Sequence, residues 1–79
     1  MAVKLVFLGR LEDIAGVTEM EFSIDQVDDI LAALEPDLAD ALTGPQIRIA
    51  VNGTLVSDRA GLILKDGDEL AFLPPVSGG

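Results

Sequence analysis

The sequence predicts a single α+β domain in which helices pack on one face of a β-sheet. Short runs of alternating apolar and polar residues lie towards both ends of the chain, and a stretch with helical apolar spacing separates them. Turn dipeptides at Asn52-Gly53 and Asp66-Gly67 divide the later runs into separate strands. Strands followed by a helix and then by further strands are typical of an α+β roll.

Length and composition limit both the fold and the chemistry. The chain has 79 residues, of which 49% are hydrophobic, and this is enough for one small core. It contains no cysteine and no histidine, so disulfides, thiolate metal sites and the commonest nucleophile and general base are excluded. We therefore expect no metal site and no catalytic pair of side chains.

The net charge restricts the possible partners. With 14 acidic and 5 basic residues, the chain carries a formal net charge of −9. Nucleic acids and anionic membranes would repel it, whereas a basic protein surface would attract it, unless the acids serve only solubility. There is no signal-peptide pattern and no apolar run near the ~20 residues that span a bilayer. We expect a cytoplasmic protein with no nucleic-acid or membrane partner.

The N-terminal third predicts two strands with a connection between them. Residues 3–8 form a β-rich run that is largely apolar on both faces, as in a central strand. Residues 9–16 have some helical spacing, and residues 18–24 alternate cleanly. The inward side of this second strand is expected to present Met20, Phe22 and Ile24.

The middle of the chain predicts the helices. Asp25 is expected to cap the first helix, with Asp28 complementing the helix dipole. Pro36 should end that helix, and residues 37–42 should form a short second one. The apolar stripe of the main helix comprises Val27, Ile30, Leu31 and Leu34.

The C-terminal half predicts a hairpin and a last strand. Residues 47–51 alternate, Asn52-Gly53 gives a tight turn, and residues 55–56 form a short return strand. Asp66-Gly67 is interpreted as a turn rather than a calcium loop because the other spaced ligands are missing. The final strand covers residues 69–73. This order favours a β-grasp arrangement, a mixed sheet with one main helix and a short second helix, in which the last strand lies beside the first.

Three stretches carry a resemblance to a known family, namely residues 7–16, 50–56 and 64–79. Together they resemble the sulfur-carrier small subunits of molybdopterin synthase, which share the ubiquitin-like β-grasp fold. The most specific part is the ending Pro-Pro-Val-Ser-Gly-Gly at a fixed distance from the Asp-Gly-Asp-Glu turn. One departure is Glu12, where the family pattern favours a basic residue, so a partner contact made there by a cation is in doubt.

The resemblance implies a carrier whose reactive group is the carboxylate of Gly79. An ATP-dependent, E1-like activating enzyme would adenylate that carboxylate, which is then converted to a thiocarboxylate. The large synthase subunit would use the sulfur to build the dithiolene of molybdopterin from a cyclic pyranopterin precursor, in a heterotetramer. The chain would thus be a non-catalytic, sulfur-donating subunit that binds no cofactor itself, while its activating partner uses ATP.

The same resemblance divides the chain into a globular body, residues 1–73, and a flexible tail, residues 74–79. Prolines lack an N–H group and fix φ, so they end the last strand and hold the tail extended. Six residues reach about 20 Å at ~3.3–3.6 Å each, and glycines without Cβ suit a narrow site. The tail expected to enter a partner's active site comprises Pro74, Pro75, Val76, Ser77 and Gly78, followed by the reactive Gly79.

Strand alternation also suggests a docking patch beside the tail. Leu8, Leu55 and Leu73 would form an exposed apolar surface if they come together, and such a surface marks an interaction site. Arg10 could add a polar contact at its rim. The alternative is that one or more of the three leucines belongs to the core.

Two other functions remain open at this point. One is a sulfur carrier for a different pathway, such as thiamine, cysteine or tungsten-pterin assembly, although the double proline argues against a thiamine carrier. The other is a ubiquitin-like modifier that forms isopeptide bonds to lysines; the chain's own lysines, Lys4 and Lys65, are too few to favour chain building. A modifier predicts lysine adducts on other proteins, whereas a carrier predicts a free thiocarboxylate.

Overall fold

A computed structural model describes residues 2–57 and 61–75. No helix in those two ranges is long and apolar enough to cross a membrane. In chain order the elements are β1 (Val3–Phe7), α1 (Arg10–Ala15), β2 (Glu19–Phe22), α2 (Val27–Ala33), α3 (Pro36–Leu42), β3 (Arg48–Val51), β4 (Thr54–Val56) and β5 (Glu69–Leu73).

The strands form one mixed sheet, as predicted. The five strands lie in the order β2-β1-β5-β3-β4. The last strand, β5, lies parallel to β1, with Leu5 opposite Leu70 and Phe7 opposite Phe72. The other neighbouring pairs are antiparallel. The predicted position of the last strand beside the first is therefore confirmed, and β5 occupies the centre of the sheet.

Alternation along the strands creates one core between the sheet and the helices. In β1 and β5 every second side chain is buried, and the rings of Phe7 and Phe72 stack with their centroids 6.1 Å apart. No charged or polar side chain is buried in the described part of the chain. The helices and the segment after β4 complete this core with Leu11, Val27, Ile30, Leu31, Leu38, Leu42 and Leu64.

The prediction of one main helix and a short second one is wrong, because three helices of six or seven residues are present. The connection after β1 forms a true helix, α1, which buries Leu11 and ends at Gly16 with a φ of 78°. Pro36 begins α3 at a position where its missing N–H costs nothing. Ordinary helix geometry is disfavoured just before a proline, so α2 ends at Ala33.

The predicted cap at Asp25 is also wrong. The N-cap of α2 is Gln26, which makes no side-chain capping bond, although Asp28 does lie in the first turn as predicted. An isolated antiparallel bridge joins Gln26 to Ile63. The backbone N–H of Leu64 donates to the Asp25 carbonyl at 2.7 Å. This pairing keeps the chain extended through Gln26, so the helix begins one residue too late for Asp25 to cap it.

The two predicted turns are present and are linked to each other. Asn52 and Gly53 have φ values of 51° and 84°, as a two-residue hairpin turn requires. The Asn52 amide donates to Asp68 Oδ1 at 2.9 Å and accepts from the Glu69 N–H at 3.0 Å. The Lys65 N–H donates to Asp68 Oδ2 at 2.8 Å. These bonds fix the start of β5 against the β3–β4 hairpin.

Candidate functional site

The C-terminal tail continues directly from the central strand of the sheet. β5 ends at Leu73, and the half-buried Pro74 and Pro75 follow directly. Because proline has no N–H to donate, the hydrogen-bonded ladder ends where the two prolines begin. The predicted site residues Val76, Ser77, Gly78 and Gly79 lie outside the described residues.

The turn after β1 packs against the first residue of the tail. Gly9 has a φ of 57°, which favours glycine, and a Cβ built there would lie 2.9 Å from Pro74 Cγ. A side chain at this position would therefore have to displace the proline ring. The close approach sets the point at which the chain leaves the globular body.

The sheet face opposite the helices carries an apolar row close to the tail. Register places Val6 beside Ala71, Ala71 beside Ala50 and Ala50 beside Leu55. In the next row towards the tail, Leu73 lies opposite Arg48. Leu8 comes one residue after the Phe7–Phe72 pair, and so follows on beside Leu73.

A groove of about 490 Å³ lies where this face meets the tail. It brings the predicted residues Leu55 and Leu73 together with Pro74 and Pro75. Leu55 is 67% exposed and Leu8 is 41% exposed, so neither belongs to the core. Leu8 adjoins Leu73 by register but does not line the groove. That these leucines dock a partner stays a prediction.

Charge is distributed unevenly over the open face. Among residues 2–57 and 61–75, Arg48 is the one charged side chain that lines the groove. Pro45, Gln46 and the four residues named above complete that lining. Arg10, the predicted rim residue, is exposed at the start of α1 and does not line it. Glu12 is exposed in the first turn of the same helix. Glu19 contacts Lys4 at 3.7 Å, further from the tail.

Sequence reasoning missed Arg48, Pro45 and Gln46 as parts of this surface. An arginine at the outward position of an alternating strand looks like an ordinary solvated residue. Its place beside the tail depends on the β3–β5 register, which pairs residues 48 and 73. The one signal in the sequence for this surface was that the outward positions of the strands include apolar residues as well as charged ones.

The chain is similar to known proteins over almost its whole length. The model of the ThiS family matches residues 5–79. The molybdopterin synthase sulfur carrier subunit of Escherichia coli K12 is 36% identical, over 98% of this chain and 99% of that protein.

Two solved structures cover 100% of this chain and are themselves covered completely. SAMP1 from Haloferax volcanii has a TM-score of 0.80 at 30% identity. A chain in the complex of subunits 1 and 2 of molybdopterin-converting factor from Helicobacter pylori has a TM-score of 0.75 at 28% identity. These similarities confirm the predicted ubiquitin-like roll and the family resemblance.

Proposed function

Because the chain belongs to the ThiS family, we propose that it is the sulfur carrier of molybdopterin synthase and acts in molybdenum cofactor synthesis. The observation that carries this proposal is the similarity to a molybdopterin synthase sulfur carrier subunit over nearly the full length of both chains. A central strand that runs into Pro74 and Pro75 at the edge of an apolar groove supports the same function.

The chemistry is assigned to the carboxylate of Gly79, the last residue of the sequence. A carboxylate is a poor electrophile, so one of its oxygens first attacks the α-phosphorus of ATP and pyrophosphate leaves. A sulfide-level nucleophile then adds to the acyl carbon of the adenylate. AMP departs with the original oxygen, and the product is a thiocarboxylate. The chain supplies the carboxylate, while the activating enzyme supplies the binding site for ATP.

Transfer of the sulfur takes place in a partner. The Helicobacter pylori structure is a complex of two subunits of molybdopterin-converting factor, and by analogy we assign this chain a large-subunit partner in a heterotetramer. The groove side of the sheet docks on that subunit, and the tail enters its active site. There the sulfur passes to a cyclic pyranopterin precursor, and water restores the carboxylate. We place both reactions in the cytoplasm.

Deleting Gly79 tests the reactive terminus. The tail follows the last strand, so the variant should retain the wild-type circular dichroism spectrum and Tm. It should gain no sulfur when incubated with the activating enzyme, ATP and a sulfur donor, as measured by intact mass. Lys65→Met, a substitution in the turn before β5, is the control and should load normally. Sulfur loading of the deletion variant would contradict the assignment.

A second candidate function is a ubiquitin-like protein modifier. The similarity to SAMP1, which belongs to the small archaeal modifier proteins, favours it specifically. A modifier would join Gly79 to lysines of other proteins by isopeptide bonds. Purification of an N-terminally tagged chain from its native cells, followed by mass spectrometry of lysine adducts, separates this function from the carrier.

A further inference from the structure

Arg48 lies within the surface that the proposed docking would cover. Its neighbour across the β3–β5 ladder is Leu73, the last residue before the tail. It lines the groove together with the exposed Leu55, and the other described residues that line the groove are uncharged. A partner that covers the two leucines would therefore also remove the Arg48 guanidinium from water.

The described part of the chain offers this cation no counter-ion. Over residues 2–57 and 61–75, the one ion pair joins Lys4 to Glu19. A guanidinium that loses its water without gaining acceptors is strongly unfavourable at an interface. A carboxylate supplied by the partner would replace the lost water hydrogen bonds of the guanidinium and stabilise the docked complex.

We propose that the partner presents an aspartate or glutamate carboxylate to Arg48, beside an apolar side chain that enters the groove next to Leu55 and Leu73. The planar guanidinium fork matches a carboxylate bidentately, which gives direction as well as affinity. This inference rests on the proposed function, since the partner is taken to be the large synthase subunit.

The positive charge that Arg48 brings to this contact is opposite in sign to the net charge of the chain. The net charge of −9 favours a basic partner at long range. On the open face, Glu21 and Glu69 flank Lys4 in the row furthest from the tail, and Glu19 lies at the β2 edge of the next row, at the opposite end from Leu55. Arg48 lies in the row beside the tail. A partner with a carboxylate facing Arg48 and basic groups facing the glutamates can dock in one orientation, and that orientation directs the tail to its active site.

Binding kinetics with the large subunit from the same organism test the inference. Arg48→Met retains the aliphatic bulk but leaves the partner's carboxylate unpaired, so dissociation should accelerate by about tenfold or more, with little change in the association rate. Arg48→Lys keeps the charge without the fork and should lose less affinity than Arg48→Met. Lys65→Met changes the net charge equally at the other end of β5 and should leave dissociation unchanged within about threefold.

The possible results separate the two proposals. Wild-type binding with equal or slower dissociation of Arg48→Met would overturn the Arg48 contact and leave the proposed function intact. No binding of the wild-type chain to the large subunit would overturn both. Matching circular dichroism spectra of the variants establish that a loss of binding does not come from unfolding.

Discussion

Asn52 and Asp68 show how one pair of side chains connects two turns that are distant in sequence. Asn52 adopts a φ of 51°, which asparagine tolerates better than most residues, and its amide bonds to Asp68 and to the backbone of Glu69. The hydrogen bond from Asn52, followed by that from the Lys65 N–H, lowers the pKa of the Asp68 carboxyl below its ordinary value of 3.8. The carboxylate form is therefore the one that the fold favours.

This arrangement predicts a pH-dependent difference between the wild type and Asp68→Asn. A lowered pKa in the folded state stabilises the fold at pH values above the ordinary pKa, and this contribution is lost as the pH falls through the folded value. Asp68→Asn should lower Tm at pH 7, and the gap should narrow as the pH falls below 3.8. Thermal melts across pH 2–7 measure it. A gap that widens on acidification would contradict the assignment.

Removing the other partner gives a matched test at neutral pH. Asn52→Gly keeps the positive φ but removes both side-chain hydrogen bonds. We expect Tm to fall, because both side-chain hydrogen bonds between the two turns are lost. An unchanged Tm would mean that these exposed bonds contribute nothing to the fold.

Among the elements, β5 has two faces with different surroundings: one packs in the core and the other lies on the surface proposed to bind the partner. Phe72 points into the core, where it is fully buried and stacks on Phe7. Leu73, the next residue, lies on the other face and lines the groove with Leu55 of β4. The core face should therefore determine folding, and the outer face should determine partner binding.

Two substitutions test this division. Phe72→Ala should lower the free energy of unfolding by about 3–5 kcal/mol, because it removes a large buried side chain. Leu55→Ser changes a residue that is 67% exposed, so its effect on stability should stay within about 0.5 kcal/mol, while binding to the large subunit weakens. Urea unfolding and binding measurements check both. A strongly destabilised Leu55→Ser variant would place Leu55 in the core instead.

The strands could be predicted from the sequence because period-two alternation and turn dipeptides are local signals. The hairpin at Asn52-Gly53 and the strand ending at Leu73 are examples. Asp25 failed as a cap because the chain near Ile63, far along the sequence, pairs with Gln26 and delays the start of the helix. The capping preference of a residue depends on its immediate neighbours in sequence, so it does not include a backbone pairing with a distant segment.

The same limit applied to the candidate site: the features set by local pattern could be predicted, and those set by strand register could not. Alternation alone assigns Leu73 to the face opposite Leu70 and Phe72, whereas Leu55 joins the predicted patch only on the condition that the leucines come together at the surface. The structure does place Leu55 and Leu73 in one groove. Arg48 could not be identified, because its proximity to the tail follows from strand order and register in the folded sheet. The packing of Gly9 against Pro74 is likewise a tertiary contact with no local signal.

For the molecule as a whole, the proposed function makes the folded body the support for a reactive C-terminus. The body has a core of apolar side chains, and its open face carries Glu21 and Glu69 beside Lys4 at one end and Arg48 beside Leu73 at the other. The chain has no cysteine or histidine for side-chain chemistry. In the proposed function, the sheet face therefore recognises the partner and Gly79 carries the reactive group.

The reactivity assigned to Gly79 is tested by the intact mass of the protein purified from native cells that lack the large subunit, where a loaded carrier should accumulate. A sulfur carrier should show a mass gain equal to the replacement of one oxygen by sulfur, located at Gly79 by fragmentation and absent when Gly79 is deleted. An unmodified mass in those cells, together with Gly79 joined to lysines of other proteins, would contradict the carrier and support a modifier.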